Sequence, residues 1–232
     1  MTWIDRLTLF LPMDFAALAL LVGGALLIGW RIEHASAKRP SKSQIMAGYR
    51  RLRMQKMLAR EARIFDAQIV ASLRQGTAFF ASTSVIAIGG TLALIGNAEM
   101  LAGIANDLTL MQAPVFVWET KMLVVALFLV NAFLKFVWAN RLFGYASVVM
   151  GAVPIDPTDP DCATRATQAG EINVTAARSF NRGLRALYFA LTGVAWLAGP
   201  WTLIAATLFT LAVIWRREFA SQSRTILLGT KT

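Results

Sequence analysis

The chain has 232 residues, 56% of them hydrophobic and only 16% charged, with a formal net charge of +10. An ordinary soluble domain carries about a quarter charged residues and does not gather its apolar ones into long unbroken blocks. One cysteine, Cys162, and one histidine, His34, exclude an intrachain disulfide and a His/Cys metal cluster, so neither a metal nor a cofactor is expected. His34 lies just beyond an apolar block and no serine elbow occurs in the chain, which argues against a hydrolase triad.

The chain opens Met1-Thr2-Trp3-Ile4-Asp5-Arg6, with no basic cluster before the first apolar block. It does not read as a signal peptide, and the block is expected to remain as a span. That first span is expected over about residues 13–32, matching about 30 Å of hydrocarbon at about 1.5 Å per residue. Pro12 suits a helix start, because its missing N–H would be unpaired there anyway. Gly23, Gly24 and Gly29 thin one side for close contact, and Trp30 sits at the boundary.

Residues 31–75 hold Arg31, Lys38, Arg39, Lys42, Arg50, Arg51, Arg53, Lys56, Arg60, Arg63 and Arg74 against Glu33, Glu61 and Asp66. A turn at Pro40-Ser41-Lys42 leads to an N-cap expected at Ser43, and then to a long amphipathic helix from Gln44 to about Leu73. It is too charged to cross a bilayer and is expected on the inner face or under the bundle. The second span is expected over about 76–96, with hydroxyls at Thr77, Ser82, Thr83, Ser84 and Thr91 bonding backbone carbonyls of their own helix. Residues 96–121 carry Glu99, Asp107, Glu119 and one base, Lys121, with a short interfacial helix expected over 97–111. The contrast between the two loops puts 33–75 in the cytoplasm and the N-terminus outside.

The third span is expected over about 122–142. It contains Asn131, Lys135, Asn140 and Arg141, the intramembrane polar candidates. Asn131 and Lys135 share a helix face. A lysine in hydrocarbon demands a partner or an aqueous path, unless its stem lifts the amine to the interface. Residues 143–185 return to the cytoplasm. Pro154 to Asp161 cannot continue a helix, and another helix follows from Ala163 to Arg185. Its Arg178, Arg182 and Arg185 form a stripe toward lipid headgroups or an acidic partner.

The last apolar block, Ala186 to Trp215, exceeds one membrane thickness and carries Gly199-Pro200 in its middle. We read it as one tilted span over about 190–214, kinked at Pro200. The other reading is a re-entrant hairpin, which needs protein or water to cover its open turn. The single span puts the tail 216–232 outside, against the inside preference of Arg216, Arg217, Arg224 and Lys231. The fold class is therefore an all-α integral membrane protein, a four-helix transmembrane bundle with amphipathic cytoplasmic helices.

Three stretches carry a family resemblance. Tyr49-Arg50-Arg51 leads through Met57-Leu58-Ala59-Arg60-Glu61-Ala62-Arg63-Ile64-Phe65-Asp66 to Phe79-Phe80-Ala81-Ser82-Thr83. Phe133-Leu134-Lys135-Phe136-Val137-Trp138-Ala139 continues through Arg141 to Tyr145. Phe180-Asn181-Arg182-Gly183-Leu184-Arg185 is followed by Gly199-Pro200-Trp201 and Arg216-Arg217-Glu218-Phe219. With these the chain resembles the bacterial membrane-protein family labelled as a domain of unknown function, number 599, from about residue 10 to 223. Ser179 departs from it, standing where the resemblance leads one to expect a histidine. The resemblance implies a bacterial inner membrane and no known activity.

Three functional readings follow. The first is a structural or partner-binding membrane component that self-associates, on anionic headgroups or with an unknown membrane or cytoplasmic protein. In it Glu61 and Asp66 pair with Arg60, Arg63, Lys135 or Arg182, beside Asn181 and Arg185. The second is a channel or transporter subunit for a small anion, with Lys135 near the path. The third is a membrane-surface enzyme acting on an anionic lipid or metabolite, but no acid–base pair, metal carboxylates or phosphate loop stands in the chain, and no catalytic residue is assigned. Nucleic acid is disfavoured, because the basic loop has no aromatic interleaving.

Overall fold

The computed structural model describes residues 6–60, 62–100, 102–103, 113–156 and 158–229. Its helices are α1 (Pro12–Glu33), α2 (Lys42–Met57), α3 (Ile64–Gly96), α4 (Val115–Gly151), α5 (Asp161–Val194), a 3-10 turn over Ala195–Ala198, α6 (Pro200–Phe219) and α7 (Gln222–Leu227). No strand occurs among the described residues. Glu61 lies outside them, and so does most of the stretch 97–111 on which an interfacial helix is expected.

Three helices, α1, α3 and α4, are long and apolar enough to cross a membrane. At about 1.5 Å per residue, the 33 residues of α3 and the 37 of α4 outrun about 30 Å of hydrocarbon, so each continues as a helix beyond its apolar block. Within α3 the hydroxyls bond back as expected: Thr77 Oγ1 donates to the Leu73 carbonyl at 2.6 Å, and Thr91 Oγ1 to that of Ala87 at 2.8 Å.

A fourth continuous span over 190–214 does not form. Helix α5 ends at Val194, the chain tightens into the 3-10 turn, and Gly199 adopts φ 110 and ψ 168 before α6 starts at Pro200. That backbone region is essentially closed to residues with a Cβ. The two helices then run antiparallel. Thr192 Oγ1 and Thr210 Oγ1 share a hydrogen bond at 2.7 Å, and Arg217 Nη1 donates to Tyr188 Oη at 2.6 Å. A single helix would hold residues 188 and 217 more than about 40 Å apart. The hairpin, not the kinked span, is the structure of this block, and a four-helix bundle of single spans is not what the chain builds.

Two further expectations change in α2. Its N-cap is Ser41, not Ser43: the Ser41 hydroxyl accepts from Gln44 N at 3.2 Å while Gln44 Oε1 accepts from Ser41 N at 3.3 Å, a complete capping box. Ser43 instead donates through its N–H and its hydroxyl to Glu218, at 3.0 and 3.1 Å. The expected helix 44–73 is also two helices, broken between Met57 and Ile64. Arg63 lies just before the second of them, and its guanidinium donates to the carbonyls of Val153 and Pro154.

The chain divides into two compact units. The first is Met1–Arg31, Ser84–Ala132 and Leu184–Arg217; the second is Ile32–Thr83, Phe133–Gly183 and Glu218–Thr232. The first packs Val125, Leu129 and Ala190 into one cluster and Trp118 and Met122 into another. The second buries Met54, Met57, Val70, Phe143 and Ala176 with Phe180 against them. Beside that core Phe80, Phe136 and Phe180 meet with ring centroids 5.4–5.6 Å apart. Gly183 admits the Phe136 ring so closely that a Cβ would lie 2.7 Å from its edge. Charge is divided sharply. The second unit holds seventeen Lys and Arg against eight Asp and Glu, the first six against five.

The tail belongs to the second unit with the first basic loop. Besides the Ser43–Glu218 bonds, Arg224 Nε donates to the Pro40 carbonyl at 2.9 Å. A tail on the opposite side of a membrane from that loop is thereby excluded, because the hairpin returns it.

Candidate functional site

Among the described residues, each unit contains a buried cluster of charged and polar side chains. In the second, Asp66 lies in the first turn of α3 with no exposed surface. Arg60 Nη1 donates to its Oδ2 at 2.6 Å, and Arg53 Nε stands 3.8 Å from its Oδ1. The longer distance is an ion pair without a hydrogen bond. Burial, with Arg60 adding to it and Asp66 opposing it, holds the Arg53 guanidinium below its ordinary range. Burial and then Arg53 do the same to Arg50. An arginine stays protonated through such shifts, so the site is one carboxylate held by an excess of fixed positive charge. Asn173 on α5 is fully buried, and neither of its amide atoms meets a protein partner among the described residues.

In the first unit the cluster is centred on Trp196, in the turn of the hairpin. Its indole N–H donates to Asp14 Oδ1 at 2.6 Å, and its carbonyl accepts from Lys121 Nζ at 3.1 Å. The Lys121 ammonium sits 4.6 Å from the Trp118 ring centroid and 5.8 Å from that of Trp196, a geometry in which aromatic faces attract a cation. Asp14 also accepts from Leu11 N at 3.0 Å, completing the start of α1. Both charged residues are buried. The cluster ties the turn to the first turn of α1 through Asp14 and to α4 through Lys121.

The expected intramembrane residues are spread along α4 and form no cluster. Asn131 and Arg141 are exposed, while Lys135 and Asn140 are half-buried. The side chain of Lys135 meets no partner among the described residues, and its carbonyl accepts from Ser179 Oγ at 2.9 Å. Asp66 pairs with Arg60 and with Arg53, and among the described residues it forms no ion pair with Lys135 or Arg182. Arg182 instead forms a forked pair with Glu33, and Arg63 holds backbone carbonyls. Arg185 lies over Gly29 and Asn181 is half-buried. Arg51 pairs with Glu171, which holds that carboxyl below its ordinary range.

A family model described as a protein of unknown function, DUF599, matches residues 16–223. The chain belongs to the DUF599 family. No curated protein and no solved structure matches it. For this DUF599 chain, the residues that sequence reading passed over are Lys121 and Asn173. Lys121 reads as a loop base at the edge of an apolar block; its one local signal is Trp118 three residues earlier, on the same helix face. Asn173 stands at helical spacing from Ala169, Ala176 and Ala177, all buried, and that periodicity was the available signal.

Proposed function

We propose that this chain is an integral membrane component of structural or partner-binding type that assembles with further copies of itself, with its basic unit in the cytoplasm of a bacterial cell. The cytoplasmic assignment is supported by the excess of seventeen bases over eight acids in the second unit. The observation that carries self-association is the bareness of α3. Only 17% of its most apolar stretch is buried within the chain, against 28% for α1 and 39% for α4. Its exposed face carries Gly76, Ser82, Thr83, Gly89 and Gly90, the small residues that let helices approach closely in lipid. A side chain added at Gly89 or Gly90 would meet nothing in the chain itself.

The test is the mass of the assembly in lipid discs for the native chain and for Gly89→Leu with Gly90→Leu. The native chain is expected as an oligomer and the variant as a monomer. A native monomer, or an unchanged oligomer in the variant, overturns the proposal.

A second reading is an anion path. It is favoured by Lys135, half-buried on a candidate span and without a side-chain partner among the described residues. Chloride flux into vesicles carrying the protein, abolished by Lys135→Glu, would support it. Flux no greater than that of empty vesicles would sink it.

A further inference from the structure

Helices α1 and α6 do not close against each other along their whole length. A groove of about 740 Å³ runs between them, open on its long side. Gly23, Gly24 and Leu27 form one wall and Leu211 and Ala212 the other, all apolar. The helices are held close by Gly24, where a Cβ would come within 3.0 Å of Leu211 Cδ1, whereas a Cβ at Gly23 would point into open space. At one end the lining changes to Trp30, Arg31 and Trp215, with the Arg31 guanidinium 5.9 Å from the Trp215 ring centroid. Arg185 reaches the same end of α1, where its Nε would lie 3.9 Å from a Cβ at Gly29.

From these features we propose that the α1–α6 groove binds one anionic glycerophospholipid, an acyl chain lying along Gly23 and Gly24 and the phosphate at Arg31. Three observations select this occupant. The groove runs along α1 from Ala19 to Arg31. That is about 18 Å of helix, near half of a hydrocarbon core of about 30 Å, and so one leaflet deep. Its walls carry no charge, and its one cation stands at an end, where a phosphate meets it after the chain is seated. Two indoles flank that cation, the side chains that settle at headgroup level. A zwitterionic headgroup would bring the same phosphate to Arg31 together with a cation of its own, which weakens the net attraction. The site requires only that α1 and α6 stand in a bilayer, not that the chain self-associates.

The test is native mass spectrometry of the full chain, released from discs of equimolar phosphatidylglycerol and phosphatidylcholine. The native chain is expected to retain one phosphatidylglycerol, preferred about fivefold over phosphatidylcholine, the factor one arginine near a headgroup contributes. Arg31→Gln brings the two lipids to parity. Gly23→Leu, at a position where a Cβ meets nothing within 4 Å, fills the groove and removes retained lipid of both kinds. Lys38→Gln, which deletes an exposed charge elsewhere, changes neither. Equal retention of the two lipids by the native chain, or an unaltered preference in Arg31→Gln, overturns the proposal. Loss of an oligomer in Gly23→Leu with lipid retention unchanged would assign the groove to a second copy and overturn it equally.

Discussion

Asp66 is a buried carboxylate whose ion-pair partners among the described residues are both arginines. Placing it in the first turn of α3 gives it the favourable end of the helix dipole, and Arg60 gives it a short charge-assisted hydrogen bond. Removing a carboxylate from such a site leaves its guanidinium partners uncompensated, and that is the larger part of the cost. Asp66→Ala is expected to destabilise the protein by about 2 kcal/mol, below the figure for a wholly buried pair because solvent screens the partly exposed Arg60. Denaturant unfolding in detergent, run as a double-mutant cycle with Arg60→Ala, checks it; strictly additive losses would show that the pair is not coupled. The residue types of this cluster were legible in the sequence, as a carboxylate among many bases. Which base it takes was not. Arg60, Arg63, Lys135 and Arg182 are all within plausible reach on paper, and backbone carbonyls and Glu33 claim two of them.

At the scale of elements, the decisive feature is the turn between α5 and α6. Gly199 sits at φ 110 and ψ 168, and Pro200 fills the first position of α6, where its missing N–H costs nothing. Gly199→Ala is expected to cost about 1–3 kcal/mol by backbone strain alone, since a Cβ there has open space around it. Thermal unfolding of the variant in detergent measures this. A melting point equal to that of the native chain would mean that the turn relaxes to another conformation. The helices themselves were readable from hydrophobic blocks and helix periodicity. Their joints were less so. The break after Met57 ends beside Arg63, whose guanidinium bonds a carbonyl ninety residues away, and the cap falls on Ser41 because Gln44, not a residue near Ser43, returns the bond.

For the whole molecule, the hairpin sets the side on which the chain ends. Glu218 binds Ser43 and Arg224 binds Pro40, so the tail and the first basic loop share one side. In a Cys162→Ser background, single cysteines Gly48→Cys and Gln222→Cys are expected to react with an impermeant maleimide from the same face of sealed membrane vesicles. Labelling from opposite faces would restore the single kinked span. The shared side also removes the discord between a basic tail and an external location, since Arg224 now lies with the other bases.

What the sequence by itself determined is the helical class, the three long apolar helices and the concentration of positive charge between them. Block length, hydropathy and loop charge are local quantities, and no long-range contact is needed to express them. Only the tertiary structure decided the hairpin, the side of the tail, the partner of Asp66 and the burial of Lys121. Each depends on a group far along the chain. The turn at Gly199 is held by Trp196, which is bonded by Asp14, 182 residues earlier, and by Lys121, 75 residues earlier. Read alone, those two residues are an ordinary helix start and a loop base. Gly199-Pro200 is a local signal for the hairpin, but the meeting of Trp196 with these two residues is encoded by no local pattern.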